Sequence, residues 1–414
     1  MSGLAGSATL ASKMPWLNIF NNPTVSGKNP SDRIRVGFIG IGSRGRTLMM
    51  HFRRLKRQFN LDTVAVCDTY KPHLERAVGL ADDGARGFHD YRKMYEEVPM
   101  DLVVIATPLH EHAGMTIDAL NMGMHVYVEK SMARTLDDIK AMYDAYINSG
   151  KIMLVGNQKL FNPVCIKGIN MIQNGEIGPV TMLRAWWTRN QDWVRYDVPG
   201  GRGTPEDRIR NWRLYWETSG GMVTELGSHH FIIANWLMDG EPESVMGSGS
   251  LNFFKDGREV HDNFSLVFKY PGDVHFTYDC TQSNKFNGVE FQVLGNKGSM
   301  ILEGNKMFAE EPPKPPAIRK LIHNLESNLF ETIPIGGATW IPAEPVKYGG
   351  EFISPDYELN DTHLYLEALI RFIYEGEAPR RLTNEGYKAS VWALLAEEAS
   401  RTGKLVTLPD KYKL

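Results

Sequence analysis

A glycine-rich turn between a short apolar run and a helical stretch constrains this chain more than any other feature. The run at residues 35–39 (RVGFI) leads into residues 40–45 (GIGSRG), and a helical stretch follows. In such a strand–turn–helix the first glycine permits a tight bend, the second lets backbone approach a pyrophosphate, and the third allows close helix packing. The helix N-terminus attracts the phosphates. We therefore predict a dinucleotide site formed by Gly40, Gly42, Ser43, Arg44 and Gly45.

A carboxylate after the next predicted strand indicates which dinucleotide the site prefers. Residues 63–67 (TVAVC) end at Asp68, about 20 residues beyond the glycine turn, where dinucleotide-binding units carry an acidic residue. A carboxylate there accepts hydrogen bonds from the ribose 2′-hydroxyl and repels a 2′-phosphate. The sequence therefore predicts NAD rather than NADP as the cofactor.

Two further apolar runs predict buried strands of a parallel sheet. Residues 102–106 (LVVIA) and 125–128 (HVYV) are mostly apolar, as strands buried on both faces require. Ligands bind beyond the carboxyl ends of such strands. We therefore expect the side chains that follow the two runs to lie at the cofactor: Thr107, Pro108, His110, His112, Glu129 and Lys130. For the two histidines, a position in a solvent-exposed loop or at a helix cap is the alternative.

The composition excludes several classes of protein. A chain of 414 residues corresponds to about two to three domains. Its 46 basic and 49 acidic side chains form no long run of like charge, which argues against nucleic acid as a partner. No apolar stretch reaches about 18 residues, so we predict no membrane span. Three widely spaced cysteines without a Cys/His metal pattern predict neither a disulfide framework nor a metal site.

The first residues resemble part of an export signal. Residues 3–12 (GLAGSATLAS) are small and apolar and end in an A-x-A-like segment, but no basic residues precede them. We therefore predict a periplasmic protein, with an ordinary tail and a cytoplasmic location as the alternative. Residues 13–32 contain three prolines and several Asn and Ser, which is typical of a linker.

The second half of the chain predicts a different sheet. Short β-rich runs separated by Gly, Pro, Asn and Asp occupy residues 178–303 and favour an antiparallel or mixed sheet. Residues 304–360 hold many prolines and predict a long excursion, either an arm that crosses a neighbouring subunit or a surface loop. Residues 364–375 and 384–402 have helical periodicity.

Several motifs occur in an order that resembles a known family. The glycine turn and the motifs at Asp68, Thr107 and Lys130 are followed by residues 220–229 (GGMVTELGSH), 295–299 (GNKGS) and 401–404 (RTGK). From about residue 33 to residue 408, the chain therefore resembles the glucose-fructose oxidoreductase / inositol dehydrogenase (Gfo/Idh/MocA) family.

The resemblance implies an α/β fold with two domains. Residues 33–156 would form an N-terminal Rossmann domain, which is a doubly wound parallel sheet that binds NAD. Residues 157–414 would form a C-terminal α/β domain with a large, open, mostly antiparallel sheet for substrate binding and oligomerisation. Residues 1–32 would precede both as a signal remnant and linker. The resemblance also implies a homodimer or a homotetramer.

The expected chemistry is hydride transfer between a sugar carbinol and a nicotinamide. It needs one group that takes the hydroxyl proton and another that holds the developing alkoxide. At a strand end, the Lys130 ammonium can hold the alkoxide, and a surface pair with Glu129 is the alternative. Glu225 and His229 are four residues apart and would share a helix face, so that the carboxylate can hold the imidazole as proton acceptor.

By resemblance, His229 takes the place of the family's catalytic histidine, and a packed histidine is the alternative. Two residues depart from the family pattern. Ser131 stands where proline commonly follows the lysine, and Glu225 stands where aspartate is usual.

A window rich in tryptophan and arginine indicates a carbohydrate substrate. Aromatic faces stack on the C–H surfaces of sugars, and arginines bond to sugar hydroxyls, although aromatic residues of a sheet core would give the same pattern. Gln158 and Lys159 follow another predicted strand, residues 152–156. The expected substrate contacts are Lys130, Gln158, Lys159, Trp187, Arg189, Trp193, Arg210, Trp212 and His229.

We therefore expect an NAD-dependent oxidoreductase that transfers a hydride between the nicotinamide and a ring hydroxyl, such as that at C3, of a sugar or glycoside. The alternative is an NAD-dependent glycosidase that oxidises C3 transiently and eliminates the aglycone, although we do not find the Tyr and His motifs of such relatives. A non-catalytic dinucleotide-binding sensor is a third reading.

Overall fold

The computed structural model describes residues 32–310, 349–354 and 360–414. The predicted signal remnant and linker, apart from Asp32, and most of the predicted proline-rich excursion lie outside these ranges. The described α-helices are α1 (Ser43–Leu55), α2 (Lys71–Val78), α3 (Tyr91–Glu97), α4 (His112–Asn121), α5 (Leu136–Ser149), α6 (Pro163–Gln173), α7 (Pro205–Arg210), α8 (Ser228–Leu237), α9 (Asp361–Glu375) and α10 (Arg380–Thr402).

The strands belong to two sheets. They are β1 (Ile34–Ile39), β2 (Leu61–Cys67), β3 (Arg86–Phe88), β4 (Leu102–Ile105), β5 (His125–Val128), β6 (Met153–Val155), β7 (Val180–Asn190), β8 (Ser244–Ser250), β9 (Asn263–Tyr270), β10 (Val274–Thr281), β11 (Ser283–Gly295), β12 (Gly298–Ile301), β13 (Lys306–Ala309), β14 (Glu351–Phe352) and β15 (Val406–Thr407). Short 3₁₀ turns occupy Leu109–Glu111, Gln158–Phe161, Trp212–Leu214 and Asp410–Tyr412, and a π-helical turn occupies Val223–Gly227.

The first sheet is parallel and has the strand order β3-β2-β1-β4-β5-β6. Its central strand β4 is buried along its whole length, because helices cover both faces and every residue of the strand is apolar. The strand order reverses between β1 and β4, and ligands of open parallel sheets bind at such a switch point. The predicted Rossmann sheet is confirmed.

The second sheet has nine strands in the order β14-β13-β12-β11-β7-β10-β9-β8-β15. Its neighbouring strands are antiparallel except for β7 and β10, which are parallel. Alternate residues are buried, as in β9, where Phe264, Leu266 and Phe268 face inward and Ser265 faces outward. The predicted open, mostly antiparallel sheet is confirmed.

Helix α10 packs against both sheets. Its small residues Ala393 and Ala396 are completely buried, which allows close approach of the neighbouring elements. Near its start, the Thr383 hydroxyl donates to the carbonyl of Met153 in β6 (2.6 Å), while Trp392 lies 6.4 Å from Phe268 of β9. The buried apolar residues of the two sheets therefore form one continuous cluster.

The length of the described helices and the state of the cysteines bear on two of the predictions from the sequence. No helix in residues 32–310, 349–354 and 360–414 has both the length and the apolar content to cross a membrane. Cys67, Cys165 and Cys280 are buried and unpaired.

Candidate active site

The glycine turn between β1 and α1 forms a cradle with one open position. Gly40 has a φ of +80°, and a Cβ there would lie 2.7 Å from the backbone of Ala106 and Thr107. A Cβ at Gly45 would lie 2.0 Å from the Gly40 carbonyl oxygen. At Gly42, by contrast, the nearest atom is 3.7 Å away, which is an ordinary contact. Packing of the protein therefore requires Gly40 and Gly45, whereas the space at Gly42 fits a group that lies against the backbone.

The N-terminus of α1 suits an anion. Its first turn, residues 43–46, contains no acidic side chain, and the N-cap Gly42 makes no side-chain cap. The first N–H groups of a helix have no partner within it, and they carry the positive end of the helix dipole. The residues present therefore fit the pyrophosphate of a dinucleotide.

Arg44 and Glu129, both predicted at the cofactor, pair with each other. Arg44 Nε donates to Glu129 Oε1 (2.7 Å), which also accepts the Tyr127 hydroxyl (2.8 Å). Burial would raise the pKa of Glu129, but the positive charge of Arg44 lowers it. One guanidinium nitrogen, Arg44 Nη2, is buried without a hydrogen-bond partner in the described part of the chain. This nitrogen is a donor for a bound group.

Asp68 stabilises the glycine turn with both carboxylate oxygens. Oδ2 accepts the N–H of Ile41 (2.7 Å), and Oδ1 accepts the N–H of Tyr70 (2.8 Å). His73 Nδ1 lies 3.4 Å from Oδ2. Each carboxylate oxygen has a further lone pair, so the ribose contact stays a prediction beside this structural role.

The two histidines after β4 differ in their surroundings. His112 is buried, and its ring nitrogens lie 3.0 Å from the carbonyl oxygens of Ser131 and Thr107. It therefore ties the ends of β4 and β5 together, and both nitrogens are engaged with backbone rather than free for a cofactor. His110 is partly exposed, with Nε2 3.2 Å from Glu111. Thr107 and Pro108 begin this turn, directly after the strand end.

Lys130 extends from the end of β5 to the turn that precedes α8. Its ammonium donates to the backbone carbonyl of Glu225 (2.9 Å). Burial lowers the pKa of Lys130, while the carboxylates of Glu225 and Glu129 oppose that shift. The Lys130–Ser131 peptide bond is cis. Lys130 therefore has spare N–H groups and no side-chain carboxylate hydrogen bond in the described part of the chain.

The predicted pairing of Glu225 with His229 is wrong. Glu225 lies in the π-helical turn Val223–Gly227, whereas His229 belongs to α8, so the spacing of a regular α-helix does not apply. The Glu225 carboxylate accepts Arg213 Nε (2.8 Å) instead. Burial would raise the pKa of Glu225, but the charges of Lys130 and Arg213 lower it.

His229 stands among positive charges. Its Nδ1 is buried and has no hydrogen-bond partner among the described residues. Burial, together with the charges of Lys130 and Lys159, lowers the pKa of His229 well below its usual range. The ring of Trp187 packs beside it, with centroids 5.8 Å apart. A neutral imidazole with a free nitrogen can accept a proton at neutral pH.

A partly buried acidic pair beside His230, formed by Glu290 and Glu303, was not predicted. Glu303 Oε1 accepts from His230 (3.2 Å) and from Lys159 (3.4 Å). Burial would raise the pKa of Glu303, but His230 and Lys159 lower it to about 2, whereas burial and the Glu303 carboxylate raise the pKa of Glu290 to about 7. Glu303 lies two residues after the end of β12, and nothing in the sequence distinguishes it from a surface residue.

The remaining predicted substrate contacts are Gln158, Arg189 and Trp193, which have no ion pair in the described chain, and Arg210 and Trp212, which contact other protein side chains. Arg189 lies over the ring of Trp193 (5.8 Å), and Gln158 Oε1 is buried without a partner in the described chain. Arg210 pairs with Asp197 (2.8 Å) and lies over the ring of Tyr70, while Trp212 supports Arg213 (4.3 Å). The charges of Lys130 and Lys159 act on His229. The charge of Arg213 acts on both Lys130 and Arg189.

Comparisons with known families agree with this architecture. A family model described as an oxidoreductase family with an NAD-binding Rossmann fold matches residues 34–157. A second model, the GFO/IDH/MocA C-terminal domain, matches residues 169–301.

Curated relatives match part of the chain. A "Glycosyl hydrolase family 109 protein" of Shewanella woodyi is 28% identical over 193 residues, which is 45% of this chain and 39% of that protein. A protein of the same name from Shewanella pealeana is 25% identical over 234 residues, or 52% and 49%. The matched region thus covers less than half the length of these relatives.

Solved structures match over most of the chain. Levoglucosan dehydrogenase, in complex with NADH and levoglucosan, gives a TM-score of 0.69 at 19% identity and covers 92% of this chain and 100% of its own. The WlbA dehydrogenase from Bordetella pertussis, in complex with NADH and UDP-GlcNAcA, gives 0.64 at 20% identity, with coverages of 91% and 99%. At these identities the likeness shows a common fold.

Proposed function

Because this chain belongs to the Gfo/Idh/MocA oxidoreductase family and carries its NAD-binding Rossmann domain, we propose that it is an NAD-dependent dehydrogenase of a sugar or glycoside. The observation that carries the proposal is the pair formed by Lys130 and His229. An ammonium group and a neutral imidazole, whose Nδ1 has no partner in the described chain, stand together where β5 ends.

The cofactor would be held by the glycine turn and its neighbours. Gly42 leaves space for the pyrophosphate, the first N–H groups of α1 bind it, and Asp68 binds the ribose. NAD, when bound, accepts a hydride from the carbon that carries the reacting hydroxyl. Arg44 Nη2 supplies a further donor from the floor of the site.

Lys130 and His229 have different roles at the reacting hydroxyl. The proton of the hydroxyl passes to the imidazole of His229, which is neutral because burial and neighbouring cations lower its pKa. The Lys130 ammonium donates a hydrogen bond to the same oxygen and stabilises its developing negative charge. Arg213 holds the Glu225 carboxylate away from His229, so that the imidazole stays free. The product is a ketone two hydrogens lighter than the substrate.

The substrate class follows from the walls of the site. Trp187 presents an aromatic face beside His229, which suits the C–H surface of a pyranose. The solved structures of similar fold include one with levoglucosan and one with UDP-GlcNAcA bound. These observations support a ring hydroxyl, such as that at C3, as the reacting group.

A glycosidase is the second candidate, because the curated relatives carry the name of a glycosyl hydrolase family. In that reaction, oxidation at C3 acidifies the C2 proton and the aglycone leaves by elimination across C1–C2. Water then adds to C1 while a proton returns to C2, and the returning hydride restores the hydroxyl at C3. The same Lys130 and His229 would serve the oxidation step. The dehydrogenase leaves the sugar oxidised, whereas the glycosidase causes no net oxidation, and this difference distinguishes the two candidates.

We further propose two domains that divide near residue 156, and a homodimer or homotetramer formed through the outward face of the second sheet. That face is supported by alternate residues of β9, such as Ser265, that are exposed in the described part of the chain. The periplasmic location rests on residues 3–12 alone. Light scattering of the purified protein and fractionation of its host test these two points.

The experiment is incubation of the purified protein with NAD and a panel of glycosides and disaccharides, followed by mass spectrometry. We expect an intact glycoside two hydrogens lighter, and its loss in Lys130→Ala and His229→Ala. The matched controls Lys140→Ala and His275→Ala change exposed residues and should retain activity. Released aglycone without net oxidation would favour the glycosidase. A protein that binds NAD but changes no sugar would contradict both.

A further inference from the structure

Most cations around the candidate site have an acidic partner. Three of them lie within 3.4 Å of a carboxylate oxygen, in the pairs Arg44–Glu129, Arg213–Glu225 and Lys159–Glu303. Lys130 donates to the Glu225 carbonyl and, in the proposed function, serves the reacting hydroxyl. In the described chain, Arg189 has neither an ion pair with a carboxylate nor a side-chain hydrogen bond to a backbone carbonyl.

Arg189 is partly buried and experiences no compensating negative charge from the described residues. Its guanidinium lies over the ring of Trp193, 5.8 Å from the centroid. Of the ionisable groups that act on it, Arg213 is a cation, and Cys280 is a buried thiol whose pKa burial raises far above neutrality. Burial and repulsion from Arg213 lower the pKa of Arg189. No described carboxylate forms an ion pair with Arg189.

Such a guanidinium is stabilised most by an anion with two oxygens. A partly desolvated charge gains from an opposite charge, and the planar fork of arginine matches a carboxylate in two parallel hydrogen bonds. Contact of one guanidinium face with Trp193 leaves the N–H edge available. A neutral sugar hydroxyl would satisfy one donor and leave the charge uncompensated.

The position of Arg189 relates this anion to the reacting centre. Arg189 and Trp187 are two residues apart on β7, so their side chains leave the same face of the sheet about 7 Å apart. Trp187 packs against His229. A sugar ring that stacks on Trp187 with a hydroxyl at His229 can therefore direct a substituent toward Arg189.

Resting on the proposed function, we infer that the substrate is a sugar acid, such as a uronic acid or its glycoside, and that Arg189 binds its carboxylate. Arg189 thus determines specificity, while Lys130 and His229 act at a ring hydroxyl on the other side of the same sugar.

The first test compares methyl β-glucuronide with methyl β-glucoside, which differ in one carboxylate. We expect the wild-type protein to oxidise the glucuronide with a kcat/KM about 10- to 100-fold higher, because a charge-assisted hydrogen-bonded pair is lost with the glucoside. Arg189→Gln should abolish this preference through KM, and Arg189→Lys should retain part of it. Arg184→Gln, an exposed arginine of the same strand, is the matched control.

The second test measures binding without turnover. Calorimetry of glucuronate and of glucose against the NADH-loaded protein should show tighter glucuronate binding in the wild type and equal binding in Arg189→Gln. Oxidation of the glucoside as efficiently as the glucuronide, together with equal binding, would overturn the inference and leave the proposed dehydrogenase intact. Glucuronate binding through Arg189 without oxidation of any sugar would support the inference and contradict the proposed function.

Discussion

At the scale of single residues, His229 owes its neutral state to its neighbours. Burial and the cations Lys130 and Lys159 all oppose its protonation, and its Nδ1 has no partner among the described residues. The same cations favour negative charge on a substrate oxygen. Proton acceptance and alkoxide stabilisation therefore depend on one electrostatic arrangement.

This arrangement predicts how His229 titrates. In the wild type, its pKa lies well below 6.5, so the imidazole is neutral across pH 6.5–8. Lys130→Met removes a positive charge, which should raise the pKa of His229, and Lys140→Met should leave it unchanged. Nuclear magnetic resonance of labelled histidines measures both. An ordinary His229 pKa near 6.5 in the wild type would contradict the electrostatic account.

The pair Glu290 and Glu303 predicts a pH dependence of stability. Glu290 has a pKa of about 7 in the folded protein and an ordinary, lower value when unfolded, so the folded state binds more protons between the two values. Its contribution to the free energy of unfolding is therefore lost as the pH rises from about 4.5 through 7. Glu303, with a pKa of about 2, loses its contribution only in acid, below about pH 4.5.

We therefore expect the melting temperature of the wild type to fall between pH 5.5 and pH 8. This fall should be smaller in Glu290→Gln. Differential scanning calorimetry at both pH values measures this difference. Glu398→Gln, which changes an exposed carboxylate, should leave the fall as it is in the wild type. An unchanged pH dependence in Glu290→Gln would show that Glu290 does not titrate in this range.

At the scale of elements, the glycine turn leaves space for a ligand at Gly42, whereas packing of the protein requires glycine at positions 40 and 45. Gly45→Ala would place a Cβ 2.0 Å from the Gly40 carbonyl oxygen and should lower the free energy of unfolding by at least about 2 kcal/mol. Gly42→Ala meets no close atom, so stability should be retained while NADH binding weakens at least about tenfold. Denaturant unfolding and fluorescence titration separate the two effects. Unimpaired NADH binding in Gly42→Ala would contradict the cofactor assignment.

The predicted elements differ from the observed ones where side chains compete with backbone pairing. Within the β-rich runs predicted at residues 178–303, strand β8 ends at Ser250, because the Asp262 carboxylate accepts the N–H groups of Asn252, Phe253 and Phe254. The helix expected through Glu225 begins with a π turn, and no periodicity distinguishes a π turn from an α turn. Apolar runs identify elements well, whereas their ends depend on contacts with distant residues.

At the scale of the whole molecule, one buried ion pair joins the loop after β5 to α10. Arg134 donates to both oxygens of Glu397 at 2.8 Å, and the Glu397 side chain is 4% exposed. Arg134→Met should lower the free energy of unfolding by about 2–4 kcal/mol, because it leaves a buried carboxylate with Arg401 alone.

The exposed pair Lys140–Asp144 is the control for this prediction. Lys140→Met should cost less than about 1 kcal/mol. Adding Glu397→Gln to Arg134→Met should restore part of the loss, since it removes the uncompensated charge. Equal, small losses for Arg134→Met and Lys140→Met in urea unfolding would contradict the role of this pair in joining the two halves.

The sequence predicts the two-sheet architecture and the two side chains that we propose to react, but not their environment. Lys130 and His229 follow from motifs, and β4 and β5 follow from their apolar runs. The partners Arg213 and Glu303 are far from them in the chain, and only the folded structure brings these charges together. Electrostatics that arise from long-range packing have no local signature.

In the proposed reaction, a hydride leaves a ring carbon of a sugar while Lys130 and His229 hold its oxygen and its proton. The decisive experiment uses a glycoside deuterated at the ring carbons, NAD and the purified protein, with both products analysed by mass spectrometry. We expect one deuterium in the reduced cofactor for each keto-glycoside formed, and neither product in His229→Ala. A glycoside that binds but leaves the cofactor free of deuterium would contradict it.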